Sequence, residues 1–284
     1  MKLKKCLVLI SLSFFIFFDL SIKKTFSNDN PLNVFRKDPL SFSYILGKDP
    51  EDLKKYWPEN LWQQIKRGLE NIKISEKLNI IAKKRVEEIL NISLPLEEGI
   101  KKDKLKDLFN EIGYDYVLFE ESIALLAFEN PISEEEALNI LFKMLLINAL
   151  ENKDNGVSIL FPCWDEMGYF FKYGQVNYDE NLYYAAVLEI IFAIPKNSNK
   201  KIIVGKITDQ HGNPIRSAKI EIRNEYNKQN IITETFGNGL YCIENYKYKI
   251  GLFEIRKEEF KTKKLFKFIS QYPYRFDFSL QENE

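Results

Sequence analysis

The chain has 284 residues, room for two domains of ordinary size that each bury a core. Lys plus Arg and Asp plus Glu both number 41, so the formal charge is zero and the basic excess of a nucleic-acid binder is missing. A hydrophobic content of 45% argues against disorder, and a single histidine, His211, sets aside most imidazole catalysis and zinc chemistry.

Lys2, Lys4 and Lys5 precede an apolar run over 7–18 that only Ser11 and Ser13 interrupt. About 12 residues suit the core of a signal peptide, whereas a membrane span needs about 20. Thr25 and Ser27 supply small residues before a cleavage point at Asn28, so 1–27 reads as a signal peptide, or as an anchor if uncleaved. The remainder is then expected outside the cytoplasm, secreted or associated with the cell envelope, touching membrane only through that segment. Beyond it the cysteines are Cys163 and Cys242, one in each predicted domain. They could pair, but two buried thiols are the expectation.

Residues 28–56 form a polar lead-in in which Asp38-Pro39 and Asp49-Pro50 mark turns. Leu61, Ile65 and Leu69 recur at four-residue spacing and open a helical pattern. Ser75 is the N-cap of a second helix, whose stripe runs Leu78, Ile81, Ala82, Arg85, Ile89. An arginine on an apolar stripe either snorkels at its edge or is paired inside. A short helix over 101–111 is closed by Gly113, and 114–128 mixes aromatic and aliphatic residues around Glu120 and Glu121. Ser133-Glu134-Glu135-Glu136 is a capping box opening an apolar helix through Ala137, Leu141 and Leu145. The runs 166–173 and 182–194 read as a hairpin. Residues 196–200 are a linker. Past it the pattern is period two, with strands at 202–208, 218–223, 231–235, 240–243, 248–255 and 274–280, which makes a sandwich.

The C-terminal motifs are Gly205-Lys206-Ile207-Thr208-Asp209, Gly212-Asn213-Pro214-Ile215 and Thr235-Phe236-Gly237-Asn238-Gly239-Leu240-Tyr241. With them, 201–284 resembles a carboxypeptidase regulatory-like domain, a transthyretin-type β-sandwich of non-catalytic character. Within 57–195 stand, in order, Ile65-Lys66-Arg67-Gly68-Leu69, Gly113-Tyr114, Glu121-Ser122-Ile123-Ala124, Ser158-Ile159-Leu160 and Asp165-Glu166-Met167-Gly168. That order of pieces is similar to the CAP superfamily of cysteine-rich secretory, antigen and pathogenesis-related proteins. The implied fold class is α+β, an α-β-α sandwich of CAP type with a small antiparallel sheet, followed by an all-β seven-strand-type sandwich.

That family sets two histidines and two glutamates around a cleft able to hold a metal. The resemblance places Glu121 and Glu166 at the carboxylate positions, with Arg85 and Asn155 where the histidines stand. A guanidinium has no lone pair for a metal, so the expectation is no metal, no cofactor, and Arg85 bridging Glu121 and Glu166. No residue is singled out as catalytic. The functional expectation is a non-catalytic exported protein binding an envelope polymer, lipid or protein, with no nucleic-acid partner. The alternatives are a hydrolase using Glu121 and Glu166 as paired carboxylates and a purely structural envelope spacer. Trp57, Trp62 and Trp164 would favour ligand binding if they lined the cleft.

Overall fold

A computed structural model of the chain describes residues 30–91, 102–153, 157–178, 181–223 and 230–283. The expected signal peptide and Asn155 lie outside these residues.

The stretch expected to be a polar lead-in is largely helical. It forms α1 (Pro31–Lys37), α2 (Pro39–Ile45) and α3 (Pro50–Lys54). Each starts with Asn or Asp followed by proline. The Asn30 side chain accepts from the Leu32 N–H at 3.0 Å, Asp38 from Ser41 at 3.1 Å, and Asp49 from Glu51 at 2.9 Å. Proline suits the first helical position because it has no N–H to satisfy and its φ is preset. The dipeptides read as turns are therefore helix starts. Next, α4 (Glu59–Arg67) buries Leu61, Trp62 and Ile65 and stops at Gly68, where φ is 77°.

The first sheet is built from β1 (Lys73–Ile74), β2 (Tyr116–Phe128), β3 (Glu166–Tyr178) and β4 (Asn181–Pro195), in the order β1-β3-β4-β2. β3 and β4 form the expected hairpin, β2 runs antiparallel to β4, and β1 joins β3 in parallel. Helices α5 (Glu76–Asn91) and α6 (Lys102–Ile112) cover one face, where Leu78, Ile81, Ala82, Leu105 and Phe109 pack on Ile191 and Ala193. Helix α7 (Glu134–Leu150) covers the other, with Leu141 and Leu145 in one apolar cluster with Leu188, Ile190 and Phe192. Ser133 caps α7 as expected, its hydroxyl accepting from the Glu136 N–H at 3.1 Å. A strand covered on both faces needs apolar residues at every position, which is why β4 reads as an almost continuous hydrophobic run.

The second part holds β5 (Ile202–Asp209), β6 (Lys219–Arg223), β7 (Asn230–Glu234), β8 (Leu240–Glu244), β9 (Ile250–Lys257), β10 (Phe260–Phe268), β11 (Tyr274–Arg275) and β12 (Phe278–Leu280). One sheet has the order β10-β9-β6-β7; in the other, β5 pairs with β8, β11 and β12. Ile203, Ile207, Ile220, Ile222, Phe253, Ile255 and Phe278 fill the core between them. β10 falls where the sequence offered no strand, and the strand expected over 274–280 is divided into β11 and β12. Asp209 ties the turn after β5, its carboxylate accepting from the N–H groups of His211 and Asn213 at 2.8 Å each. That Asx-type turn accounts for the position of His211 without a chemical role.

The two parts share one apolar cluster, which runs from the helical part into Ile202, Val204, Phe236, Leu240 and Cys242. Cys163 and Cys242 are joined by a disulfide with their Cα atoms 6.0 Å apart, which corrects the expectation of two free thiols. Beside it the Gly237 N–H donates to Asn152 Oδ1 at 2.8 Å, and Asn238 Nδ2 to Ser158 Oγ at 3.0 Å. The Phe236 ring meets Trp57 and Phe161 edge-on, with centroids 5.7 and 5.4 Å away. The molecule is mixed α+β, with a β-sandwich-like part bolted to an α/β part.

Candidate functional site

The stripe of α5 sets Arg85 between Ala82 and Ile89, and all three are fully buried. Opposite it, strand alternation turns Glu121, Ile123, Glu189 and Ile191 to the same face of the sheet, since Glu121 pairs with Ile191 and Ile123 with Glu189. Arg85 Nε lies 3.6 Å from Glu121 Oε2, and Arg85 Nη1 lies 3.6 Å from Oε2 of Glu88, one turn further along α5. Glu121 is buried with Arg85, whereas Glu88 reaches toward solvent.

Glu189 is the member that the sequence reading missed. It has no exposed surface, and neither of its carboxylate oxygens accepts a hydrogen bond among the described residues. Burial pushes its pKa well above the usual carboxylate range; Glu121 pushes the same way, Arg85 opposes, and Glu88 adds to the rise. The signal was in the sequence: Glu189 is the lone charge between Ala185 and Ile194 in an otherwise apolar strand.

Glu166 has a different setting. It opens β3 opposite Ala193, four residues along β4 from Glu189, or roughly 13 Å at the rise of an extended strand. Its Oε2 accepts from the Tyr114 hydroxyl at 2.8 Å. That bond and burial raise the Tyr114 pKa, with burial the larger cause. Glu166 also lines a polar groove of about 480 Å³ between the first part and the linker that leaves it, together with Glu70, Lys73, Asp165, Asn197 and Lys200. Lys200 Nζ donates to the Trp164 carbonyl at 2.6 Å, and burial lowers its pKa against the pull of Asp165 and Glu70. Lys73 stands 3.9 Å from Asp165.

The structure brings Arg85 and Glu121 together and supplies Glu189 as the neighbouring carboxylate, where the sequence reading had Arg85 bridging Glu121 and Glu166. Glu166 is engaged by Tyr114 at the groove. The tryptophans line neither place: Trp57, Trp62 and Trp164 are all core, and the indoles of Trp57 and Trp164 donate to the carbonyls of Leu150 and Ser158. Among the described residues, the acidic and sulfur groups close enough to share a metal are Cys163, Cys242 and Glu244. The disulfide uses both thiols there, so this set does not fit an ion.

No family model and no curated protein matches the chain. Among solved structures it aligns with hydroxyquinol 1,2-dioxygenase from Pseudomonas putida at 10% identity and TM-score 0.25, over 29% of this chain and 56% of that one. It aligns with 3-chlorocatechol 1,2-dioxygenase from Rhodococcus opacus at 11% identity and TM-score 0.25, over 31% of this chain and 64% of that one. BcpA, the major pilin subunit of Bacillus cereus, aligns at 9% identity and TM-score 0.23, over 41% of this chain and 55% of that one. The chain thus spans less than two thirds of each, and at these scores the alignments say nothing about its activity. The CAP resemblance drawn from the sequence is corrected: no family model matches, and the structures that align are dioxygenase and pilin structures, not CAP proteins. The physical reason is that the quoted pieces are local devices. A capped helix, a Gly-Tyr turn after a helix and an aromatic closing strand recur wherever helices pack on an antiparallel sheet.

Proposed function

We propose that the chain is an exported, non-catalytic protein that binds a polar ligand or polymer of the cell envelope in the groove between its first part and the linker. The observation that supports this reading best is the disposition of the carboxylates. Hydrolysis by paired carboxylates requires two of them to face one substrate from opposite sides. Glu121 is buried beside Arg85 beneath α5 and Glu166 is bonded to Tyr114 at the groove, with β4 between their strands. The groove itself presents both charge signs and amide groups, a lining that suits a polar polymer. The disulfide adds support for export, since such bonds persist mainly in oxidising compartments.

The test uses purified insoluble envelope polymer. Wild-type protein is expected to co-sediment saturably, several-fold less when Glu166→Lys and Lys200→Glu invert the groove charges, and to release no soluble fragments. Fragment release that disappears in Glu121→Gln/Glu166→Gln protein would establish the hydrolase instead.

A further inference from the structure

Strand β10 reads FKTKKLFKF, with four lysines (Lys261, Lys263, Lys264 and Lys267) and no acidic residue. It is the edge of its sheet. Its register places Phe268 opposite Ile250, Phe266 opposite Leu252 and Lys264 opposite Glu254, so these side chains share the outer face. Phe266 is 61% exposed, Phe268 60% and Ile250 43%. Exposed Lys249 precedes Ile250. Further along the same face the buried Glu254 and Glu221 are answered by arginines, Arg256 at 2.5 Å from Glu254 and Arg223 at 2.8 Å from Glu221. Lys264 joins Arg256 on Glu254 at 3.3 Å, while Lys263 and Lys267 alternate onto the opposite face, where Lys263 Nζ donates to the Ser279 carbonyl at 3.0 Å and Lys267 lies over the Phe276 ring. Lys249 and Lys267 are the cations at the end of the sheet that holds the phenylalanines.

Lysines on an edge strand protect against pairing with other chains, and that accounts for the lysines alone. Two phenylalanines and an isoleucine grouped in water on the same corner require another reason. We propose that this corner seats the protein on an anionic lipid bilayer, with Phe266, Phe268 and Ile250 entering the interface and Lys249 and Lys267 at its rim toward the headgroups. The inference rests on the export reading above and adds a second, lipid-facing surface to the polymer-binding groove.

Charge and size select the bilayer. The three exposed side chains offer on the order of 300 Å², well short of the ~800 Å² that each partner gives to a stable protein interface. A bilayer interface accepts a few protruding apolar groups and draws juxtaposed lysines electrostatically. No helix among the described residues is long and apolar enough to cross a membrane.

The test uses the full chain carrying Phe266→Trp and vesicles with bromine-labelled acyl chains, made of phosphatidylcholine alone or with phosphatidylglycerol. Trp57, Trp62 and Trp164 are buried, so quenching reports on position 266 even if the apolar 7–18 run brings the chain to the vesicle. Quenching is expected on the mixed vesicles, weaker at high salt and absent on phosphatidylcholine alone. Lys249→Glu/Lys267→Glu, with an unchanged thermal midpoint, is expected to weaken partitioning about tenfold. Absence of quenching on the mixed vesicles overturns the proposal. So does concentration-dependent self-association that Phe266→Ser/Phe268→Ser abolishes, which would give the corner to a second copy. The vesicles contain no polymer, so a failure here leaves the sedimentation result intact, and a failure of that experiment leaves this one readable.

Discussion

A carboxyl group sealed from water and from donors keeps its proton unless a cation compensates it. Glu189 faces Arg85, but Glu121 and Glu88 face the same guanidinium, so among the described residues Arg85 is shared by three acids. The pH dependence follows. With its folded pKa raised, Glu189 contributes stability that is complete below the unfolded carboxylate value near 4.3 and is lost as pH rises toward the folded value. Urea denaturation is expected to show stability falling above about pH 5, by up to ~1.4 kcal/mol per pH unit from this group. Glu189→Gln should flatten that limb; an unchanged slope would mean that the carboxyl is not held protonated. Arg85→Met removes the cation and leaves Glu121 beside Glu189, at an expected cost of about 3–5 kcal/mol in the same assay. Arg85 was legible in the sequence because its charge interrupts a 3.6-residue stripe. Glu189 interrupts a strand just as plainly. Its partners were not legible, because the register that sets Glu189 beside Ile123 and Glu166 beside Ala193 exists only in the folded sheet.

At the scale of elements, periodicity located α5, a closing glycine α6, a capping box α7, and two apolar and aromatic runs about a turn the β3–β4 hairpin. β10 escaped because its apolar residues are divided between faces: Leu265 leans inward and Phe266 and Phe268 face solvent, with lysines between. The lead-in escaped because an Asx-Pro pair serves equally as a turn and as a helix cap, and only the burial of Leu32, Phe35 and Leu53 decides for helix. Gly168 shows how closely two elements can approach. It sits on β3 under the start of α5, where an added Cβ would run into the backbone of Leu78 and Asn79. Rigid backbone on both sides leaves no side chain to yield. Gly168→Ala is therefore expected to destabilise by about 3 kcal/mol, the upper end for overpacking, read as a lower thermal midpoint. A loss below ~1 kcal/mol would show that α5 can lift from the sheet.

For the whole molecule, composition and pattern were enough to give a mixed α+β chain with a β-sandwich-like part. They could not show that the parts share a core, because Phe236 and Leu240 read as ordinary sandwich residues until Trp57 and Phe161 are placed against them. That shared core decides how the chain should unfold. Parts joined by a simple linker melt separately, whereas Ile202, Val204, Phe236 and Leu240 cannot leave their cluster without opening the helical part. Calorimetry is expected to show one transition spanning both parts. The disulfide closes a loop with a sequence separation of 79 residues, for which the chain-entropy model gives about 4.5 kcal/mol. Cys163→Ala/Cys242→Ala should therefore lower the midpoint and keep a single peak, because apolar contact and the bonds from Gly237 to Asn152 and Asn238 to Ser158 still couple the parts. Two peaks in the cysteine-free protein would mean that the covalent bond, rather than the packing around Phe236, makes the molecule one cooperative unit.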